Sequence, residues 1–358
     1  MTRKEWIEIG YDKKIIEDYK DSDCITFKET YNKWFLMKMH KIKPQSLDRI
    51  ECTFNKYYKD KAICSMYLHQ IDEKYIYNFL NETLQNNIIN PKEYKRIYQI
   101  VNNVMVYAYD LSLGYANLLN WSFIKRMVFD NEIDKRYSKE YMVSSADRQL
   151  IYKQVVQNNI YPEKRSSSLA LVLNFYLGLR VGELAALKFK DFDLNNKVLK
   201  VERTQVKYFP RNENGERSNT MIYAIVSDLK TENAFRYVPL TDECIRLYQM
   251  IKEHHQARGY KSEYICYDGK DTILERSVAR TLTRLCVLCG VEHINSHRIR
   301  KTYASSLHNQ NIPTRVIADL MGHADTNTTE KIYILGYEDI NIYRGQIETA
   351  LSVNGGGM

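Results

Sequence analysis

The fold is decided around residues 177–194, LGLRVGELAALKFKDFDL, where a long apolar segment ends at a bend that contains glycine. The preceding run, Ser167 to Leu179, has the pattern of a buried helix. Arg180 follows it directly, and Glu183 lies three residues further on, within one helical turn. An arginine at the end of a buried helix needs a partner or a ligand, because burying an unpaired charge is costly. On this segment alone, an ordinary surface pair between Arg180 and Glu183 explains the pattern equally well.

Downstream of this bend the pattern changes from helix to strand. Three runs predict β-strands, at residues 197–207, 221–229 and 235–240. Lys230 begins the short turn KTENA between the last two runs. Helical patterns return from about Thr241, so this part of the chain predicts a mixed α+β domain with helices around a small antiparallel sheet.

Upstream, the residues are almost free of glycine and proline and repeat with helical periodicity, which predicts an all-α bundle. Thr26 and Glu29 have the spacing of a capping box, and Pro91 suits the first position of a helix. The charged segment before Ala146 lacks an apolar stripe and predicts a linker. The expected division is an N-terminal extension at 1–25, the helical domain at 26–130, the linker at 131–145, the α+β domain at 146–340 and a C-terminal tail at 341–358.

The composition excludes several classes of protein. Of 358 residues, 44% are hydrophobic and 27% are charged, which is ordinary globular material. No apolar run approaches the roughly 18–20 residues needed to cross a bilayer. Seven cysteines, an odd number spread widely, predict reduced thiols in a cytosolic protein. A net charge of +8 permits nucleic-acid binding without establishing it.

A second stretch with potential chemistry is INSHRIRKTYASSLHNQNIPTRVIADLMGHADTNTTEKIYI, residues 294–334. His297 and Arg300 share one helix face, and His323 follows a glycine that suits a helix end. Tyr333 lies between two isoleucines in the last segment. Taken singly, each of these residues has an ordinary structural explanation.

Taken together, they resemble the active-site signature of the tyrosine recombinases, the phage integrase family. The ordered set is Arg180, Lys230, His297, Arg300, His323 and Tyr333. The flanking sequences LGLRVGELAAL, SHRIRKTYASSL and LMGH match as well. The resemblance covers about residues 145–340, and the helical region fits the core-DNA-binding domain of that family. It implies the fold shared by tyrosine recombinases and type IB topoisomerases.

The resemblance implies a site-specific DNA recombinase or integrase. The sequence favours a mobile-element integrase of the conjugative-transposon type and leaves a phage or a chromosome-dimer resolution system open as the host element. Such an enzyme cleaves and rejoins DNA through a covalent 3′-phosphotyrosine and a Holliday junction, with no metal, ATP or other cofactor. The implied partners are double-stranded recombination sites, a homo-tetramer on DNA and an accessory excision or directionality factor, but no membrane. We expect the C-terminal tail to dock on a neighbouring protomer, and the protein to lie in the bacterial cytoplasm at the nucleoid.

Chemistry explains why these residue types belong together. Tyr333 would be the nucleophile, because a phosphotyrosine ester conserves the energy of the DNA linkage. Arg180 and Arg300 would donate to the non-bridging oxygens of the transition state. Lys230 is the better general acid, because a lysine pKa can be lowered by its surroundings while arginine stays protonated.

The remaining roles support these steps. His297 is expected to act as a base or relay toward Tyr333, and His323 to donate a hydrogen bond to a phosphate oxygen. Glu183 occupies the acidic supporting position of the family and is expected to hold the site together.

Several alternatives stay open on the sequence. Tyr337 lies one helical turn beyond Tyr333, and Lys207 is a second lysine in the strand block, outside the turn context of Lys230. A type IB-like topoisomerase or a catalytically silent DNA-binding protein would use the same scaffold, and a metal-dependent nuclease would require divalent ions. We expect the first 25 residues to be too short for the separate arm-binding domain of many phage and conjugative-transposon integrases. The pair His254-His255 lacks a metal-site pattern and is expected on the surface.

Overall fold

A computed structural model of the protein describes residues 25–111, 119–122, 124, 142–227, 235–269, 274–322 and 343–351. The chain divides into two compact units, each with its own hydrophobic core. The first comprises 1–138 together with 207–222, and the second comprises 139–206 together with 223–358. Among the described residues, no helix is long and apolar enough to span a membrane.

The first unit is helical, as predicted. Its helices are α1 (Phe27–Met39), α2 (Pro44–Tyr57), α3 (Glu73–Gln85) and α4 (Pro91–Asp110). The predicted capping box is confirmed: the Thr26 amide donates to Glu29 Oε2 at 2.8 Å, and the Glu29 amide donates to Thr26 Oγ1 at 3.3 Å. Stacked rings fill the core, with Phe54 lying between Tyr31 and Tyr58 at centroid distances of 3.6 and 5.7 Å.

The second unit combines helices with two small sheets. Its helices are α5 (Ser145–Tyr152), α6 (Arg165–Leu177), α7 (Val181–Ala185), α8 (Asp242–Ala257), α9 (Glu275–Cys289), α10 (Ser296–Asn309), α11 (Thr314–Met321) and α12 (Arg344–Leu351). The strands are β1 (Phe192–Asp193), β2 (Val198–Val201), β3 (Thr204–Tyr208), β4 (Ile222–Val226) and β5 (Arg236–Pro239). The end of β3 from Lys207 and the first residue of β4 fall within the first unit. The predicted fold class, a helical bundle followed by helices around a small antiparallel sheet, is confirmed.

Helix α6 forms the centre of this second core. Nearly all of its residues are buried, including Ser167, Ser168 and Asn174, and α8, α9 and α10 pack around it. An apolar helix without a polar face must be covered on all sides. The bend after Leu177 therefore emerges from the middle of the unit rather than from its surface.

The predicted strand at 197–207 is two strands in different sheets. Strand β2 pairs antiparallel with β1 and β5, with Val201 opposite Arg236, whereas β3 pairs with β4. The break falls at Glu202 and Arg203, which carry charge between the two apolar runs. Alternation alone predicted one continuous strand because it does not report which partner each residue meets.

His255 is buried, so the prediction that it lies on the surface was wrong. Its ring makes T-shaped contacts with the rings of Phe189 and Tyr260, at centroid distances of 5.0 and 5.4 Å. Burial is the main cause that lowers the His255 pKa from its ordinary value, which favours the neutral ring.

The excursion between β3 and β4 belongs to the helical first unit. Arg211, with 4% of its side chain exposed, donates to Asp48 at 2.9 Å and to Glu51 at 2.8 Å on α2. Its guanidinium also lies 5.0 Å from the centre of the Phe35 ring. Gly215, at φ +78°, sits so close to Leu36 that a side chain there would collide. The excursion is therefore part of the packing of this unit.

We expect Arg211→Met to lower the free energy of unfolding of the first unit by about 2 kcal/mol, because it leaves two carboxylates without their main partner. All three tryptophans fall within residues 1–138, so tryptophan fluorescence follows this unit alone. Arg217→Met is the matched control, since Arg217 is more exposed and lies 3.7 Å from Glu51. Its effect should stay within about 0.5 kcal/mol. An equal loss of unfolding free energy in Arg211→Met and Arg217→Met would contradict this explanation.

Candidate active site

The site begins at the bend that follows α6. Helix α6 ends at Gly178, whose φ of +60° is the left-handed conformation that glycine adopts without strain. A Cβ atom at this position would overlap the buried ring of Tyr303 on α10. The side chain of Asn174 fixes the next residue, accepting from the Leu179 amide at 2.8 Å and donating to its carbonyl at 3.2 Å. The backbone thus presents Arg180 in a defined direction.

Glu183 is buried beneath this bend, with 2% of its side chain exposed. It accepts from the Arg180 amide at 2.9 Å and from Arg180 Nη1 at 2.8 Å. Arg180 itself keeps 44% of its side chain exposed. The two residues are therefore not an ordinary surface pair, because the carboxylate has been withdrawn from water and only the guanidinium faces outward.

Arg236 is a second partner of Glu183, which the sequence pattern did not predict. Its Nη2 donates to Glu183 Oε2 at 2.8 Å and its Nη1 to Oε1 at 3.2 Å, with only 4% of the side chain exposed. The signal in the sequence is an arginine inside the strand run FRYVPL, 235–240, whose neighbours Val238 and Leu240 are core residues.

These contacts set the charge of Glu183. Burial alone would raise its pKa, but the charges and hydrogen bonds of Arg236 and then Arg180 outweigh burial and lower the pKa to about 2. Because the folded pKa lies below the ordinary value of 4.5, this ionisation stabilises the fold above about pH 4.5. That stabilisation is lost as the pH falls toward 2.

Arg300 reaches the same place from α10. Its Nη1 donates to the Gly178 carbonyl at 2.7 Å, and its Nη2 donates to the Met321 carbonyl. Burial, and then the neighbouring Arg180 charge, lower the Arg300 pKa to about 9, which leaves the group charged at neutral pH. One backbone bend thus holds both arginines, carrying Arg180 and accepting from Arg300.

The three arginines converge on the last turn of α11. Arg236 Nε donates to the Leu320 carbonyl at 2.7 Å, Arg300 to the next carbonyl, and Arg180 Nη2 to the Gly322 carbonyl at 2.9 Å. These carbonyls form the negative end of the helix dipole, where cations are stabilised. Gly322 ends the helix at φ +58°, and His323 is the next residue in the chain.

The other predicted site residues are placed as follows. His297 is exposed in the first turn of α10, three residues before Arg300. Lys230, His323 and Tyr333 lie outside the described residues, as does the alternative nucleophile Tyr337. The structure therefore brings together Arg180, Glu183 and Arg300, and it adds Arg236.

The cluster carries an excess of two positive charges: Arg180 and Arg236 bond to the single carboxylate of Glu183, and Arg300 adds a third guanidinium that bonds to backbone carbonyls instead. With Arg180 partly exposed, this charge is available to an anion from outside. Within the described part of the chain, no group of three or more histidine, cysteine or acidic side chains is arranged to hold a metal ion.

Comparison with known proteins identifies the class. Residues 148–338 match the phage integrase family. A tyrosine recombinase XerC-like protein of Caldanaerobacter subterraneus is 26% identical over 332 residues, covering 88% of this chain and 80% of the relative. The integrase of Staphylococcus phage L54a is 24% identical over 325 residues, covering 86% of this chain and 88% of that protein.

Solved structures show the same fold. The Tn1549 transposon integrase in complex with transposon right end DNA aligns with a TM-score of 0.62 at 16% identity, covering 89% of this chain and 98% of that one. A lambda integrase dimer bound to a COC′ core site aligns with a TM-score of 0.59 at 17% identity, covering 93% and 88% of the two chains. The protein belongs to the phage integrase family and is a tyrosine recombinase, an enzyme of DNA strand breakage and rejoining.

We expect Gly178→Ala to destabilise the second unit by about 2–4 kcal/mol, from the left-handed backbone together with overlap against the Tyr303 ring. Gly290→Ala is the matched control, because Gly290 has a φ of +66° but no described heavy atom within 4 Å of its added Cβ. It should cost only the backbone strain of about 1 kcal/mol.

Calorimetry would measure the loss of stability of the second unit in these two variants. Tryptophan fluorescence should show that the stability of the first unit is unchanged. A Gly178 variant no less stable than the Gly290 variant would show that the bend does not depend on its approach to α10.

Proposed function

We propose that this recombinase is a mobile-element integrase of the conjugative-transposon type. In the proposed reaction, the Tyr333 hydroxyl attacks a DNA phosphorus and the bond to the 5′ oxygen breaks. The products are a 3′-phosphotyrosine and a free 5′ hydroxyl, and reversal by a 5′ hydroxyl of the partner strand reseals the DNA. Because the ester keeps the energy of the linkage, the reaction needs neither ATP nor a ligase. In this proposal the arginine cluster balances the phosphate charge, so no metal ion is required.

The observation that carries this proposal is the charge of the arginine cluster. A phosphodiester carries one negative charge, and attack by a phenolate raises this to about two in the pentacoordinate transition state. The excess of two positive charges around Glu183 suits that state better than the ground state. Binding the transition state more strongly than the substrate is what accelerates a reaction.

Proton transfer completes the proposed mechanism. A phenol with a pKa of about 10 is almost entirely protonated at neutral pH, so Tyr333 must lose its proton as it attacks. We assign this to His297, directly or as a relay. Lys230 would protonate the departing 5′ oxygen, and His323 would donate to a non-bridging oxygen.

A row of arginines on α9 supports DNA binding by the second unit. Arg276, Arg280 and Arg284 are exposed and four residues apart, so they lie along one face of the helix. Such a row of fixed positive charges suits the regularly spaced phosphates of duplex DNA. The helical first unit would be the core-DNA-binding domain, with residues 131–145 as the linker.

The proposed assembly is a homo-tetramer on two DNA sites, with strand exchange through a Holliday junction and an accessory excision or directionality factor. In the single chain, Ile347 and Leu351 of α12 are buried in the second core. An exchange of this tail between neighbouring protomers would preserve the same contacts while joining the subunits. A DNA-bound enzyme of this kind would be found in the bacterial cytoplasm, at the nucleoid.

A nicked suicide substrate tests the chemistry. We expect the wild-type chain to form a covalent protein–DNA adduct that survives denaturation, and Tyr333→Phe to form none, because only an oxygen nucleophile can make the ester. Tyr337→Phe, the matched control one helical turn away, should react normally. Denaturing gel electrophoresis, in which the adduct migrates more slowly than free DNA, would measure it.

Three outcomes would refute parts of this proposal. An adduct formed by Tyr333→Phe but not by Tyr337→Phe would show that Tyr337 is the nucleophile. Cleavage abolished by EDTA would indicate a metal-dependent nuclease. An adduct with relaxation of supercoils but no recombination of two matched sites would indicate a topoisomerase.

Salt dependence tests the α9 surface. DNA affinity falls as salt concentration rises, and each phosphate contact makes this dependence steeper. Replacing Arg280 and Arg284 together by glutamine should reduce the steepness of log affinity against log salt concentration by about 2, if each contacts one phosphate. The control is Lys252→Gln combined with Arg258→Gln, which removes the same amount of charge. Lys252 and Arg258 are exposed residues in and directly after α8, and they do not lie on one helical face. An equal change of slope in both double variants would mean that only net charge matters.

A further inference from the structure

Arg236 is a buried arginine whose donors serve the protein itself. Its Nε reaches the Leu320 carbonyl at 2.7 Å, and its two terminal nitrogens reach Glu183 at 2.8 and 3.2 Å. With 4% of the side chain exposed, it is withdrawn from any substrate that approaches Arg180. Burying a guanidinium costs several kcal/mol in desolvation, so a role that an apolar residue could fill would not favour arginine here.

Its contacts join three segments that lead into the active site. Arg236 is the first residue of β5, six residues after Lys230 in the chain. Glu183 lies in α7, directly after the bend that carries Arg180. The Leu320 carbonyl lies in the last turn of α11, just before His323.

Each oxygen of Glu183 accepts from both arginines. Oε1 accepts from Arg180 Nη1 and Arg236 Nη1, while Oε2 accepts from the Arg180 amide and Arg236 Nη2. The fork of Arg236 therefore fixes the plane of the carboxylate, and the carboxylate in turn orients the exposed guanidinium. Arg236 also supplies the charge that balances Glu183, which leaves the charge of Arg180 available to a phosphate.

We propose that Arg236 is a positioning residue for strand cleavage, acting through Glu183 to hold the Arg180 guanidinium in place and to keep its positive charge uncompensated. This inference rests on the proposed function, because the charge it preserves is the one that the transition state requires. Without Arg236, Glu183 is paired with Arg180 alone, and the excess charge of the cluster falls from two to one. The loss affects the chemical step more than DNA binding, because Arg236 is buried away from the DNA.

The test uses the full chain, a duplex site for binding and a nicked suicide substrate for single-turnover cleavage. Arg236→Met should slow adduct formation at saturating DNA about 100-fold, with the DNA dissociation constant changed no more than about threefold. Arg236→Lys keeps the charge but loses the fork, and should slow the reaction only about tenfold.

The decisive variant combines Arg236→Met with Glu183→Gln. It restores the excess of two positive charges, so it should cleave about tenfold faster than Arg236→Met alone. A purely structural role predicts the opposite, because a second change at a buried site adds to the damage. Calorimetry on each variant would report the stability of the second unit.

The outcomes separate this inference from the proposed function. If wild type forms the adduct and Arg236→Met forms it equally fast, Arg236 has no positioning role. A double variant no faster than Arg236→Met would also overturn the inference, as would a loss of DNA affinity that accounts for the whole defect. If Arg236→Met does not fold, the test rests on Arg236→Lys. Cleavage by that variant at the wild-type rate would refute the proposal, as would weaker DNA binding without slower cleavage. A wild-type chain that forms no adduct overturns the proposed function, and this inference with it.

Discussion

The arginine cluster of the second unit depends on one buried carboxylate. Glu183 could not remain ionised in the interior without guanidinium partners, because desolvation disfavours its charged form. Arg236 supplies a partner from within the core and Arg180 supplies one from the surface. The same carboxylate therefore anchors the strand block and fixes the orientation of the exposed arginine. The pairing of Glu183 with Arg236 explains why an arginine lies in an otherwise apolar strand and why a glutamate can be buried.

The end of α11 gives this arrangement its second fixed point. Three successive carbonyls, from Leu320 to Gly322, each accept a hydrogen bond from a different arginine. A helix of eight residues offers little stability by itself, but its negative end is stabilised when cations surround it. The chain that leaves this helix leads on to His323 and Tyr333. The arginines that we propose to bind the phosphate are thus held by the same helix end from which the chain continues toward the proposed nucleophile.

The excursion between β3 and β4 shows how one segment can belong to a unit from which it is distant in sequence. Arg211 is more than 150 positions from Asp48 and Glu51 in the chain, yet it is buried against both. Breaking such a partly buried pair leaves carboxylates without partners, which is more costly than losing an exposed pair. The packing of the helical unit therefore includes residues from the second half of the sequence.

Local features of this protein were determined by the sequence itself. The capping box at Thr26, the helix end at Gly322 and the helix–sheet–helix order each depend on neighbouring residues, so pattern and spacing predict them. The same is true of the family, because its signature is an order of motifs along the chain. Tertiary structure alone decided that Glu183 is buried, that Arg236 joins it and that residues 197–207 divide between two sheets. These features depend on contacts between residues far apart in the chain, and neither periodicity nor spacing reports which distant side chain will balance a buried charge.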